Sequence, residues 1–190
     1  MIKELIKRNR SYRRFDESVK ITAEQIVKWI ELARLSASGR NAQPLKYAFV
    51  TNREMCSKIF PCLAWAGYLT DWKGPDEDER PVAYVVVVKD REITENHYCD
   101  DGIAMQSILL GAVEDGFGGC MIGSVNKAKI AKLLGLPDQH EVLWIIALGK
   151  PAEQVVIDEA ENGNIKYWRD KNGVHHVPKR SIGEIVILID

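Results

Sequence analysis

Four arginines fall within seven residues near the start of the chain: Arg8, Arg10, Arg13 and Arg14. Like charges at that density repel, and are comfortable only in water or around a bound anion. A planar guanidinium with five donors matches a phosphate or carboxylate bidentately. Ser11, between the arginines, can give its hydroxyl to the same anion. Two readings stay open at this point, a solvated basic helix end and an anion site. A second basic pair, Lys179 and Arg180, stands far along the chain, with two loops of small residues in between. Residues 36–44 read Ser-Ala-Ser-Gly-Arg-Asn-Ala-Gln-Pro and offer Ser38, Asn41 and Gln43 as hydrogen-bonding side chains. An ordinary helix-to-strand connection has the same composition. Residues 116–124 read Gly-Phe-Gly-Gly-Cys-Met-Ile-Gly-Ser, and their glycines let a ligand approach the backbone closely. This is not the G-x-G-x-x-G dinucleotide fingerprint, because it follows a helix and enters a strand.

Composition narrows the ligand. The chain has 190 residues, which suits one domain, and 46% hydrophobic residues, enough for a substantial core. Its net charge is −1, so the arginine cluster is local and nucleic acid is not the expected partner. The four cysteines show no C-x-x-C spacing, and His97, Cys99, His175 and His176 fit no common metal-ligand pattern. No leader pattern and no apolar run of about eighteen residues is present, so a cytoplasmic protein with free thiols and no membrane span is expected.

The elements that must position these residues follow from periodicity. Residues 1–9 read as a helix ending at the arginines. Thr22, with Gln25 three residues on, caps a second helix running to about Leu35. Strands are expected over residues 46–51, 82–88 and 142–148, the middle one a β-branched run buried on both faces. Helices are expected over residues 53–60, from Asp100 or Asp101 to Gly116, and from Asn126 to about Leu134. The helix from Asp100 is apolar nearly all round, which suits a domain centre or a subunit interface. Trp65, Tyr68 and Trp72 stand at helical spacing in residues 63–81, a lid or a packed excursion. From Pro151 the signals thin out until an apolar strand over residues 185–189, which needs a sheet of its own chain or of another subunit. The order gives an α+β fold: a three-layer α/β/α sandwich around a mixed, mostly antiparallel sheet.

Taken together the segments resemble the nitroreductase family of FMN-dependent oxidoreductases, over nearly the whole chain. Residues 9–13, Asn-Arg-Ser-Tyr-Arg, resemble its N-terminal basic signature. Residues 38–44 resemble its Ser-x-x-Asn-x-Gln-Pro loop, residues 116–123 its glycine strand, residues 147–151 the strand end that follows, and Lys179 with Arg180 its C-terminal basic pair. Asn9 stands where a basic residue is often found. The resemblance implies a homodimer with one FMN in each interface pocket, and a single domain, 1–190, whose residues 151–190 embrace the partner by an exchanged terminal strand. It implies that Asn9, Arg10, Ser11 and Arg13 hold the phosphate, ribityl and pyrimidine side. Ser38 and Asn41 would reach the flavin from the partner subunit, Met121, Ile122, Gly123 and Ser124 would lie along its ring, and Lys179 and Arg180 would complete the phosphate site. The expected activity is ping-pong transfer of two electrons from NAD(P)H to a small acceptor such as a nitroaromatic or a quinone, with no side-chain nucleophile. Other flavin reactions such as dehalogenation, a ferredoxin-type donor, and an FMN store or sensor without turnover are the alternatives.

Overall fold

The computed structural model describes residues 1–189. Fourteen helices and strands follow in order: α1 (Ile2–Arg8), β1 (Phe15–Asp16), α2 (Ala23–Arg34), β2 (Leu45–Val50), α3 (Arg53–Ile59), β3 (Ala83–Asp90), α4 (Asp100–Glu114), β4 (Gly118–Ile122), α5 (Lys127–Leu134), β5 (His140–Pro151), β6 (Val155–Glu159), β7 (Trp168–Arg169), β8 (His175–Lys179) and α6 (Ile182–Ile185). Short 3-10 turns cover Gly39–Asn41, Phe60–Cys62 and Glu77–Glu79.

The main sheet has β3 between β2 and β5, and both β1 and β4 pair with the other edge of β5, all antiparallel. Alternation along β3 assigns each layer. Ala83, Val85 and Val87 are buried against α2 and α4, with Ile26, Trp29, Ala104, Met105 and Ile108. Tyr84, Val86 and Val88 are buried against α3 and α5, with Cys56, Ile59 and Ile130. Burial on both faces is why β3 reads as an unbroken β-branched run rather than an alternating one. The expected three-layer sandwich is therefore formed. Within the main sheet every ladder is antiparallel, and the one parallel ladder lies elsewhere, between β6 and β8.

Local chemistry explains the helix boundaries. The Gln25 backbone N–H donates to Thr22 Oγ1 at 3.2 Å, and the Thr22 N–H donates back to Gln25 Oε1 at 2.9 Å, so α2 starts on a full capping box. Gly135, at φ 61°, closes α5 in the left-handed conformation that glycine adopts without penalty. Gly111 lets α2 and α4 approach, since a Cβ there would sit 2.6 Å from Leu32 Cδ1.

Three parts of the chain differ from the sequence expectation. Residues 63–81 form no α-helix despite the spacing of Trp65, Tyr68 and Trp72. Ala66 takes φ 39° and Gly74 φ 115°, which break helical continuity, and Gly74 lies against the Trp65 indole. Residues 155–179 form a second sheet, in the order β6-β8-β7, that periodicity did not signal. Its strands are two to five residues long, and β8 carries Pro178, so no strand pattern stands out. Finally, the terminal strand expected over residues 185–189 is not formed in the single chain. Ser181 and Glu184 make a capping box that starts α6, and Ile187, Leu188 and Ile189 are exposed without a ladder.

Candidate functional site

The arginine stretch runs extended along the glycine strand. α1 ends at Asn9, Ser11 bridges Gly119 in parallel, and the Tyr12 N–H donates to the Gly119 carbonyl at 3.0 Å. Residues 9–13 are thus held beside β4 by a single parallel bridge. The glycines of that strand answer to their own chain. A Cβ at Gly118 would meet Tyr12 at 2.6 Å, one at Gly119 the Ala147 carbonyl at 2.3 Å, and one at Gly123 the Trp144 ring at 2.4 Å. Each of these three positions packs closely on its own chain, Gly118 and Gly123 against side chains and Gly119 against the backbone.

Contacts set one of the four arginines apart: among the described residues only Arg14 is paired with a carboxylate. Arg8 donates to the Val113 carbonyl at 2.8 Å, at the negative end of α4. Arg14 forks onto Glu79, with Nε to Oε2 at 2.6 Å, and that bond raises its pKa further. Arg10 donates one N–H to the Ile6 carbonyl at 2.7 Å, while its Nε is buried without a partner among the described residues. Burial lowers its pKa, the direction expected of a cation without a counter-charge. Arg13 is 9% exposed and donates from Nη1 to the Ser11 carbonyl and to His175 Nε2, each at 3.2 Å. Its guanidinium lies 5.0 Å from the centre of the Tyr167 ring. Among the described residues neither Arg10 nor Arg13 is paired with a carboxylate. The local carboxylate, Glu153, is occupied: it accepts from the Arg13 and Arg14 backbone N–H groups and from Arg169 Nη2.

Arg13 lines a cavity of about 150 Å³ with Ala64, Trp65, Ala66, Gly67 and Cys120, and with Met121, Ile122, Gly123 and Ser124. Five of the residues singled out from sequence therefore share one hollow. Gly123 and Ser124 also border an open hollow of about 560 Å³, walled by His97, Asp101, Lys127 and Trp144. Trp65 and Cys120 were missed as lining residues. Cys120 lies inside the glycine strand and was legible there; Trp65 reaches the site only through the irregular turn at Ala66. Burial raises the Cys120 thiol pKa, so it is a neutral wall of the cavity rather than a thiolate.

The remaining predicted residues lie elsewhere. Asn9 is buried and donates from Nδ2 to Gln106 Oε1 at 3.2 Å, tying α1 to α4. Ser38 donates to Asp100 Oδ2 at 2.6 Å and accepts the Gln43 N–H at 2.9 Å, beside a separate cleft of about 150 Å³ against Tyr47 and Ala104. Arg40, Asn41 and Gln43 all have φ between 50° and 55°, a strained run for residues other than glycine, held by the Asp100 bonds to Ser38 and the Gly39 N–H. Lys179 and Arg180 follow His175 at the far end of β8. Four strand steps of ~3.3 Å separate Lys179 from the His175 that touches Arg13, and Arg180 faces Glu184 at 3.7 Å. In the single chain this pair does not join the arginine stretch.

The fold is a three-layer α+β sandwich in which Arg10 and Arg13, neither paired with a carboxylate among the described residues, stand in the stretch beside β4. The model of the "Nitroreductase family" matches residues 6–150. The chain belongs to the nitroreductase family. A Bacillus subtilis (strain 168) protein, YdgI, provisionally named an NAD(P)H nitroreductase, is 25% identical over 185 residues, covering 80% of this chain and 88% of its own. The solved NADPH:FMN oxidoreductase from Vibrio harveyi, complexed with NAD+, is 28% identical with a TM-score of 0.62, covering 79% of this chain and 68% of its own. A nitroreductase family protein from Streptococcus pneumoniae TIGR4 has the same fold over the full length of both chains, with a TM-score of 0.69 at 16% identity. No helix among the described residues is long and apolar enough to cross a membrane.

Proposed function

We propose that the protein is an FMN-dependent oxidoreductase that passes two electrons by a ping-pong cycle from NAD(P)H to a small acceptor such as a nitroaromatic or a quinone. The observation that carries this reading is Arg13, a buried cation with no carboxylate on its guanidinium, lining the cavity at the end of β4. The fit to FMN rests also on two donors buried without partners, Arg10 Nε and Trp65 Nε1. When bound, FMN supplies the hydride chemistry itself. The chain supplies charge and position. Arg10, with the Ser11 hydroxyl, would hold the phosphate; Arg13 would meet negative charge on the pyrimidine side; and the backbone of residues 121–124 would lie along the ring. A fixed cation stabilises developing negative charge without reorganising at the moment of reaction. Burial of Trp65 and Ala66 limits water on that side.

The assembly completes the site. A homodimer brings the strained Ser38–Asn41 loop of one subunit to the flavin of the other, and the exposed Ile182, Ile185, Ile187, Leu188 and Ile189 are buried on the partner. Residues 151–190 then serve as the extension of a single domain, and Lys179 and Arg180 approach the phosphate in that assembly. A cytoplasmic location fits the free cysteines Cys56, Cys62, Cys99 and Cys120. The test is FMN binding by wild type and Arg13→Gln. Loss of one charge-assisted contact of ~1.5–3 kcal/mol predicts a drop of about tenfold or more in FMN affinity. Equal affinities in two folded proteins would remove Arg13 from the site.

A further inference from the structure

The sheet formed by residues 155–179 lies beyond the part of the chain matched by the family model, and one of its residues touches Arg13. His175 opens β8, is 1% exposed, and meets Arg13 Nη1 through Nε2 at 3.2 Å. A guanidinium only donates. His175 Nε2 must therefore accept, which places the ring proton on Nδ1 and leaves the imidazole neutral. His175 Nδ1 is itself buried and has no hydrogen-bond partner among the described residues. A buried donor left unsatisfied is costly, and a leucine would fill the same space without that cost. The groups facing the imidazole explain the choice. Burial first, and then Arg13, Arg169 and His176, favour the neutral ring. The Tyr167 ring packs 5.3 Å away, and Glu153 is occupied by two backbone N–H groups and Arg169.

Tyr167, the Ser11 carbonyl and His175 Nε2 thus fix the Arg13 guanidinium with three uncharged contacts. A carboxylate in any of these places would hold the arginine as firmly and cancel its charge. We propose that His175 is a positioning residue for the flavin site: its neutral Nε2 aims Arg13 at the β4 cavity while leaving the guanidinium charge available to reduced flavin. This inference rests on the FMN reading and adds to it a determinant drawn from the C-terminal sheet.

The test uses the full chain loaded with FMN, as wild type, His175→Gln, His175→Leu and His175→Glu. Gln retains a neutral acceptor, Leu keeps volume without one, and Glu places a negative charge on Arg13. The readout is the two-electron midpoint potential of bound FMN, which reports its preference for reduced over oxidised flavin. Gln is expected to stay within about threefold of wild type. Leu and Glu are expected to lose about tenfold or more, and each tenfold is ~30 mV in the negative direction for a two-electron couple. Equal potentials in four folded, FMN-bound proteins would overturn the proposal and leave His175 as core filling. A second measurement needs no flavin: the ¹⁵N spectrum of the His175 imidazole. It is expected to show Nε2 unprotonated throughout about pH 5 to 8, with a resonance that Arg13→Gln moves. A His175 protonated at Nε2 in that range overturns the proposal whether or not FMN binds. A chain that refuses FMN yet shows the Arg13-bound imidazole supports the contact and refutes the FMN reading alone.

Discussion

Removing the Glu153 carboxylate should unfasten the C-terminal sheet from the arginine stretch. Glu153 has a side chain 1% exposed and three partners: the Arg13 N–H, the Arg14 N–H at 3.1 Å and Arg169 Nη2 at 3.0 Å. Glu153→Ala leaves two backbone donors and a half-buried guanidinium without their acceptor. Breaking one side of a buried ion pair typically costs ~3–5 kcal/mol, much of it the penalty on the charge left behind. For a chain of this size, where 1 kcal/mol is about 2–4 °C, that is a fall in Tm of roughly 6–20 °C. Glu153→Gln keeps one acceptor oxygen and should lose less. Urea unfolding followed by tryptophan fluorescence measures both, since Trp72 stacks on Arg169, at 4.7 Å, and reports the same junction. A Glu153→Ala protein within about 0.5 kcal/mol of wild type, the range of ordinary surface substitutions, would refute the idea that this carboxylate clamps the two segments.

Other outcomes follow from single contacts. His175 has its pKa lowered to about 4, chiefly by burial and then by Arg13, so the folded state resists the proton that the unfolded chain accepts. Stability from this group is complete above the unfolded value of ~6.5 and is lost as pH falls toward 4, by at most ~3 kcal/mol; a Tm series should show a decline over that window that His175→Gln reduces. Thr22→Ala removes the side-chain half of the α2 capping box and should cost ~1 kcal/mol in urea titrations, and a larger loss would mean the cap holds more than one helix end. Gly119→Ala places a methyl 2.3 Å from the Ala147 carbonyl, so strand separation or failure to fold is expected; a variant with the wild-type Tm would show that β4 and β5 have room the structure denies.

Much of this arrangement was legible because the signals were local. The capping box at Thr22 and the double-faced run of β3 depend on neighbours within a few residues, and both formed as read. The hollow between Arg13 and residues 121–124 was also foreseeable, since the glycine strand and the arginine stretch are each distinctive. What escaped the sequence depends on distant partners. Nothing near Arg8 or Arg14 reveals that the distant Val113 carbonyl and Glu79 carboxylate hold them, so the cluster looked uniform, whereas Arg10 and Arg13 meet only uncharged partners, most of them close in the chain. The glycines at 118, 119 and 123 looked like ligand clearances because Tyr12, Ala147 and Trp144, which fill those spaces, lie far away in the chain. Helical spacing in residues 65–72 was overridden by the positive φ at Ala66 and by the packing of Tyr68 on Tyr167, at 4.8 Å between ring centres. The apolar run at residues 185–189 has strand propensity, but propensity forms no strand where the single chain offers it no ladder.

The central claim, that this chain holds FMN and reduces it with a nicotinamide, is tested most directly by one anaerobic titration. The purified protein is supplied with FMN, its visible spectrum is recorded, and NADH and NADPH are added to separate samples without oxygen. A bound flavin spectrum that bleaches with one or both donors, and returns when a quinone or nitroaromatic is added, is the predicted result. A protein that takes up no FMN, or that binds it and stays yellow with both donors, would contradict the account.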